Sequence, residues 1–122
     1  MKVKLNTNNQ TNFQAKISPK FEKIMRYHIN KSPNKLKNNY RLNKKIAEFN
    51  EWGYDNYTVE LLENYAGWGR KYAMMCVPEG VETQKGIFID KQYTVRDVVK
   101  RFLSIKKGEF INIMNRKWKL HK

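Results

Sequence analysis

Side chains able to move protons or attack a substrate are few in this chain: two histidines (His28, His121), one cysteine (Cys76) and three serines (Ser18, Ser32, Ser104). Zinc needs three or four nitrogen or sulfur ligands at close spacing. No His-x-His, Cys-x-x-Cys or His-Glu-x-x-His pattern supplies them, and we expect neither a metal nor a cofactor. Cys76 lies within an apolar run and reads as a small buried hydrophobe. Ser18 and Ser32 each precede a proline and read as helix caps. No Gly-x-Ser-x-Gly elbow and no phosphate-binding loop occur, and Gly67-Trp-Gly69 is too short for a dinucleotide fingerprint. His28 falls on the apolar side of its helix, where a core histidine is favoured over a catalyst. The expectation is a protein without a catalytic centre.

What the chain does carry is positive charge. It has 25 basic and 11 acidic residues, a net charge of +14. Such an excess draws polyanions over long range, and nucleic acid is the commonest cytosolic one. The charge is also unevenly placed. Lys16 to Lys45 holds ten basic residues and one acid (Glu22), and Val98 to Lys122 holds eight and one (Glu109). Between them Glu48, Glu51, Asp55, Glu60 and Glu63 stand together, an acidic patch suited to orienting the molecule on a composite surface. Lysine outnumbers arginine 19 to 6, and asparagine occurs 14 times. AT-rich codons favour this bias, which fits a low-GC bacterium or its mobile elements.

The elements that must position these charges follow from spacing. The 122 residues, 40% hydrophobic and 13% aromatic, suit one domain over residues 1–122 with a real core. Met1–Leu5 and Asn12–Ile17 read as a hairpin. Ser18-Pro19 opens a helix with Phe21, Ile24, Met25, His28 and Ile29 on its apolar side, and Ser32-Pro33 opens a second, from about Asn34 to Glu51. The second helix's stripe reads Leu36, Tyr40, Leu42, Ile46, Ala47 and Phe49. Tyr57–Tyr65, Arg70–Val77 and Gly86–Asp90 read as strands. Thr94, with Asp97 three residues on, caps a helix whose apolar face is Val95, Val98, Val99, Phe102, Leu103 and Ile105, with Arg96 and Lys100 opposite. Gly108 ends it, and Phe110–Met114, extending toward Leu120, reads as a closing strand. The order is ββααβββαβ: an α+β fold, a largely antiparallel sheet packed by amphipathic helices.

On this frame Lys20, Lys23, Tyr27 and Lys31 share the outer face of the first helix, with Arg26 at its edge. Lys37, Arg41, Lys44 and Lys45 share that of the second. Phosphates neutralised by such residues release condensed counterions, and Tyr27 is placed to stack on a base. Trp68 beside Arg70, at a turn tip, and Lys117 and Lys119, flanking Trp118, complete the candidate contacts. The expected function is binding of nucleic acid or a nucleoprotein complex, with a protein partner as the runner-up: an inhibitor from a phage or mobile element, of anti-CRISPR or other anti-defence type. No stretch approaches the roughly 18–20 apolar residues of a membrane span, and the N-terminus has no signal-peptide core. The expectation is therefore cytoplasmic, with no membrane partner. Over residues 12–90 the layout of strand, two helices and following strands also resembles that of RelE-type ribonuclease toxins, in topology only. That resemblance implies a basic ribonuclease site with Arg70, Lys71 and Tyr72 as its candidates, although no catalytic motif matches and the final helix and strand are additional.

Overall fold

Ser18 opens the first helix as the sequence predicts, its hydroxyl accepting from the Phe21 amide at 3.0 Å and Pro19 standing at the first helical position. The computed structural model describes residues 17–52, 56–63 and 71–121, with side chains as far as Arg116. Helices α1 (Pro19–Asn30) and α2 (Lys35–Glu51) are followed by strands β1 (Tyr57–Glu63), β2 (Tyr72–Pro78) and β3 (Ile87–Gln92). Helices α3 (Val95–Ser104) and α4 (Lys107–His121) complete the order. The sheet is antiparallel in the order β1-β2-β3, which makes the fold α+β. The expected hairpin at Met1–Leu5 and Asn12–Ile17, the turn at Ala66–Gly69 and the contact residues Trp68 and Arg70 lie outside the described residues, apart from Ile17. Ile17 forms a parallel bridge with Val59.

The helices lie on one face of the sheet. Val59, Met74, Cys76, Ile87 and Ile89 face Phe21, Met25, Ile29, Leu42, Phe49, Val98, Phe102 and Phe110 in one buried cluster. Its centre is aromatic: Phe49 stacks on Phe102 at 5.1 Å and 4°, and Phe110 meets Phe49 edge-on at 5.1 Å. The opposite face of β2 buries Ala73, Met75 and Val77 with Leu62 and Phe88. The Cys76 side chain is buried. Register slips between Met74 and Met75 where β2 meets β3, pairing Met74 with Asp90. This bulge brings Asp90 to the helix side, where the Arg101 Nε lies 3.3 Å away.

Four expectations need correction. The closing strand at Phe110–Met114 is a helix, α4. Gly108 does not end α3 but sits in the first turn of α4, since α3 stops where Ile105 turns extended at φ −67°, ψ 139°. The Glu109 carboxylate then accepts from the Lys106 amide at 3.2 Å, the N3 half of a capping box, and starts α4. Third, Leu36 and Tyr40 do not belong to the buried stripe of α2: they are 82% and 69% exposed, and Ala47 is exposed beside them. Only Leu42 and Phe49 are fully buried on that helix. Fourth, Ser32 does not cap α2, because its hydroxyl donates back to the Ile29 carbonyl at 2.6 Å and closes α1.

Candidate nucleic-acid interface

The lysines and arginines of α1 and α2 divide into those that build the fold and those that face solvent. Arg26 belongs to the first group. Its Nε meets Glu22 at 2.8 Å, and its two terminal nitrogens donate to Asn39 Oδ1 at 3.1 Å and Asn43 Oδ1 at 2.6 Å. Asn39 in turn donates to Asn30 Oδ1 at 2.8 Å and to the Lys35 carbonyl at 2.9 Å. Each of the three guanidinium nitrogens thereby has an acceptor within a seam between α1 and α2, which ties Arg26 into the fold rather than turning it to solvent. The asparagines that interrupt the apolar stripe of α2 are the other half of this seam.

Lys45 is likewise turned inward. Its ammonium donates to the Ile105 carbonyl at 2.6 Å and pairs with Glu48 at 2.9 Å, leaving the side chain only 12% exposed. It also lies 5.6 Å from the Trp52 ring centre. Helical phase places Lys45 within about 40° of Arg41, but α3 and α4 meet where it projects, and the Ile105 carbonyl at their junction takes its charge. Lys45 therefore leaves the candidate surface.

Lys23, Lys37 and Lys44 are exposed and have no ion pair among the described residues. Lys20 pairs loosely with Glu63 at 3.7 Å and stays 80% exposed. Lys31 sits 4.3 Å over the ring of Tyr27, itself an exposed aromatic. At about 100° per residue, Leu36, Tyr40 and Ala47 occupy the outermost line of α2, flanked by Lys44, Lys37 and then Arg41. A tyrosine on each helix thus stands among solvent-facing cations. A groove of about 490 Å³ runs along α1 past Lys23, Tyr27 and Asn30.

Arg41 faces away from that groove, into a cleft of about 440 Å³ between the helices. Arg96 and Lys100 of α3 reach it from the other wall, with His28, Asn34 and Asn38 also on its lining. Arg96 and Lys100 are one turn apart on the polar side of α3, a spacing the sequence displays without showing that Arg41 lies opposite. Tyr40 was hidden differently, by an apolar side chain placed in the wrong stripe.

Elsewhere several charges are tied into the fold. Arg101 bridges Asp90 and Glu109, the latter at 2.8 Å. The hydrogen bond that Arg101 donates to Glu109 raises the Arg101 pKa above its ordinary value, and the same bond holds the Glu109 carboxyl below the usual carboxylate range. Glu60 of the acidic segment accepts from the Thr83 hydroxyl at 3.2 Å, and Asp55 lies outside the described residues. Of the ribonuclease candidates Arg70 is also outside them, Lys71 is exposed, and Tyr72 packs half-buried against the core. Lys117 and Lys119 fall on α4, their side chains outside the described ones. No described helix is long and apolar enough to cross a membrane. No family model, curated protein or solved structure matches the chain.

Proposed function

We propose that the protein binds nucleic acid through the outer faces of α1 and α2, without chemistry on it. The observation that carries this reading is the set Lys23, Lys37 and Lys44, exposed and free of carboxylate partners among the described residues, with Tyr27 and Tyr40 exposed among them. Lysines supply the phosphate contacts, and the tyrosines supply faces on which unpaired bases stack, each worth roughly 1–3 kcal/mol. The Arg26 seam holds the two helices side by side, so the contacts are arranged before binding.

Anisotropy titration of a random-sequence single-stranded oligonucleotide tests this. With about six phosphates neutralised, the log–log slope of affinity against salt is about −4. The triple reversal Lys23→Glu, Lys37→Glu, Lys44→Glu abolishes binding while the melting transition stays in place, since exposed positions rarely change stability by more than about 0.5 kcal/mol each. Affinity that is flat with salt, or undiminished in the folded triple variant, sinks the proposal.

A second reading is favoured by Leu36, an exposed leucine on the same line as Tyr40: an inhibitor that docks on the protein component of a nucleoprotein machine. It requires a stoichiometric protein complex that survives nuclease treatment, and loss of every co-purifying protein after nuclease rules it out.

A further inference from the structure

We infer that the cleft between α2 and α3 is a pocket for a phosphate monoester, the terminal phosphate of a nucleic-acid strand. The strand rests on the reading above; the phosphate pocket does not. Its volume of about 440 Å³ falls in the roughly 300–1,000 Å³ range of small-ligand sites. Arg41, Arg96 and Lys100 line it, and no carboxylate does. None of the three side chains has a hydrogen bond or ion pair among the described residues. This contrasts with Arg26, Lys45 and Arg101, whose donors are occupied by Glu22, Glu48 and Glu109 respectively. Three cations brought together in a concavity repel one another, and nothing protein-derived on the lining offsets them.

The kind of anion follows from charge and geometry. A backbone phosphodiester carries a single charge and is met by single lysines on a convex face, as on α1 and α2. A monoester carries about −1.5 to −2 at neutral pH and has three acceptor oxygens, which balances two guanidinium forks and an ammonium far better. Guanidinium groups grip such oxygens in bidentate fashion. Further polar groups line the same space: the amides of Asn34 and Asn38 and the ring of His28. Asn34 is the N-cap of α2, its side chain accepts no amide hydrogen, and the first turn of α2 holds no acid. The positive end of that helix is therefore uncompensated beside the pocket, which adds to its preference for an anion.

The test compares one oligonucleotide sequence with a 5′-phosphate, a 3′-phosphate or hydroxyls at both ends, bound to the wild type and to Arg96→Gln/Lys100→Gln. The expected result is about tenfold tighter binding of a phosphorylated end, the size of a single charge-assisted hydrogen bond, and loss of that preference in the double variant. The variant must melt with the wild type; both positions are exposed. Equal affinity of all three strands for the wild type overturns the pocket and leaves the nucleic-acid reading intact. If no strand binds, that reading falls, and melting with a nucleoside monophosphate decides the pocket by itself. Stabilisation of the wild type but not the variant supports it, and stabilisation of neither overturns it. Inorganic phosphate separates the sources: a shift equal to that given by the nucleoside monophosphate assigns the pocket to free phosphate and overturns the strand-end assignment.

Discussion

Removing the Lys45 side chain will unfold this protein more readily than removing any of its exposed neighbours. Lys45→Ala deletes a charge-assisted hydrogen bond to the Ile105 carbonyl, and such bonds contribute roughly 1.5–3 kcal/mol. It also frees Glu48 from a pair that is half-screened by solvent, a loss of about 0.2–1 kcal/mol, and removes a cation 5.6 Å from the Trp52 ring, about 0.5–1 kcal/mol. These contributions share one ammonium and do not add fully, so the expected loss is about 2–4 kcal/mol. For a domain of this size each kcal/mol lowers the melting temperature by roughly 3–6 °C. Lys45→Met keeps the aliphatic stem and isolates the charge; its cost is about 2 kcal/mol. Lys44→Ala, one residue away and exposed, costs no more than about 0.5 kcal/mol. Thermal and urea melts of the three variants, read beside oligonucleotide affinity, separate the roles. Lys44 changes affinity without stability, and Lys45 changes stability. A Lys45→Met protein that melts with the wild type yet loses affinity refutes the assignment and returns Lys45 to the binding surface.

Two further outcomes test the frame around the site. Gly86→Ala sets a Cβ 2.9 Å from the Cys76 carbonyl oxygen and 3.0 Å from a Val77 methyl, so the start of β3 must shift. A loss of about 1–3 kcal/mol in urea unfolding is expected, and wild-type stability would show that this edge is looser than described. Glu109→Gln tests the bond to Arg101, and its sign follows from linkage. A carboxyl whose pKa is lowered by folding stabilises the protein above the unfolded carboxylate range, near pH 4–5, and that stability is lost as pH falls through the lower folded value. The gap between wild type and variant is therefore open at neutral pH and closes as the pH falls below that range. It stays below about 1 kcal/mol because the Glu109 side chain is 45% exposed. A gap that widens on acidification contradicts the assignment.

Local chemistry made much of the fold legible. Ser18-Pro19 and Thr94 are caps whose hydroxyls accept the amides expected of them, from Phe21 and Asp97. β1 follows from alternation, β2 from a short apolar run that is buried along its length, and α3 from Val98, Val99 and Phe102. The carboxyl end misled for a specific reason. Gly108 reads as a stop and Asn115–Lys122 alternates basic with apolar residues, while Phe110, Ile113 and Met114 have the i, i+3, i+4 spacing of a helix. Phe110 and Met114 are buried, so that spacing was the correct signal. In α2 the apolar residues are too many for one stripe. Which of Leu36, Tyr40, Leu42 and Phe49 turn inward depends on where α1 and α3 pack, and this is not local information.

The same dependence governs the candidate site. A helical wheel says that a lysine faces outward, but outward from one helix is sometimes inward to another. Lys44 and Lys45 are adjacent in sequence and both basic, yet the carbonyl left at the junction of α3 and α4 claims only Lys45. Arg26 is drawn off by Asn39 and Asn43, residues that in the sequence look like mere breaks in an apolar stripe. Conversely, Arg41, Arg96 and Lys100 are remote in sequence and meet only because α3 packs alongside α2. Net charge therefore overstates the ligand-facing surface on α1 and α2 and understates how closely three cations converge. The useful distinction is whether a cation already has an acceptor in the fold. Where it has one, mutation is felt as lost stability. Where it has none, the positive charge is carried into solution uncompensated and is open to an anion that would supply the acceptor.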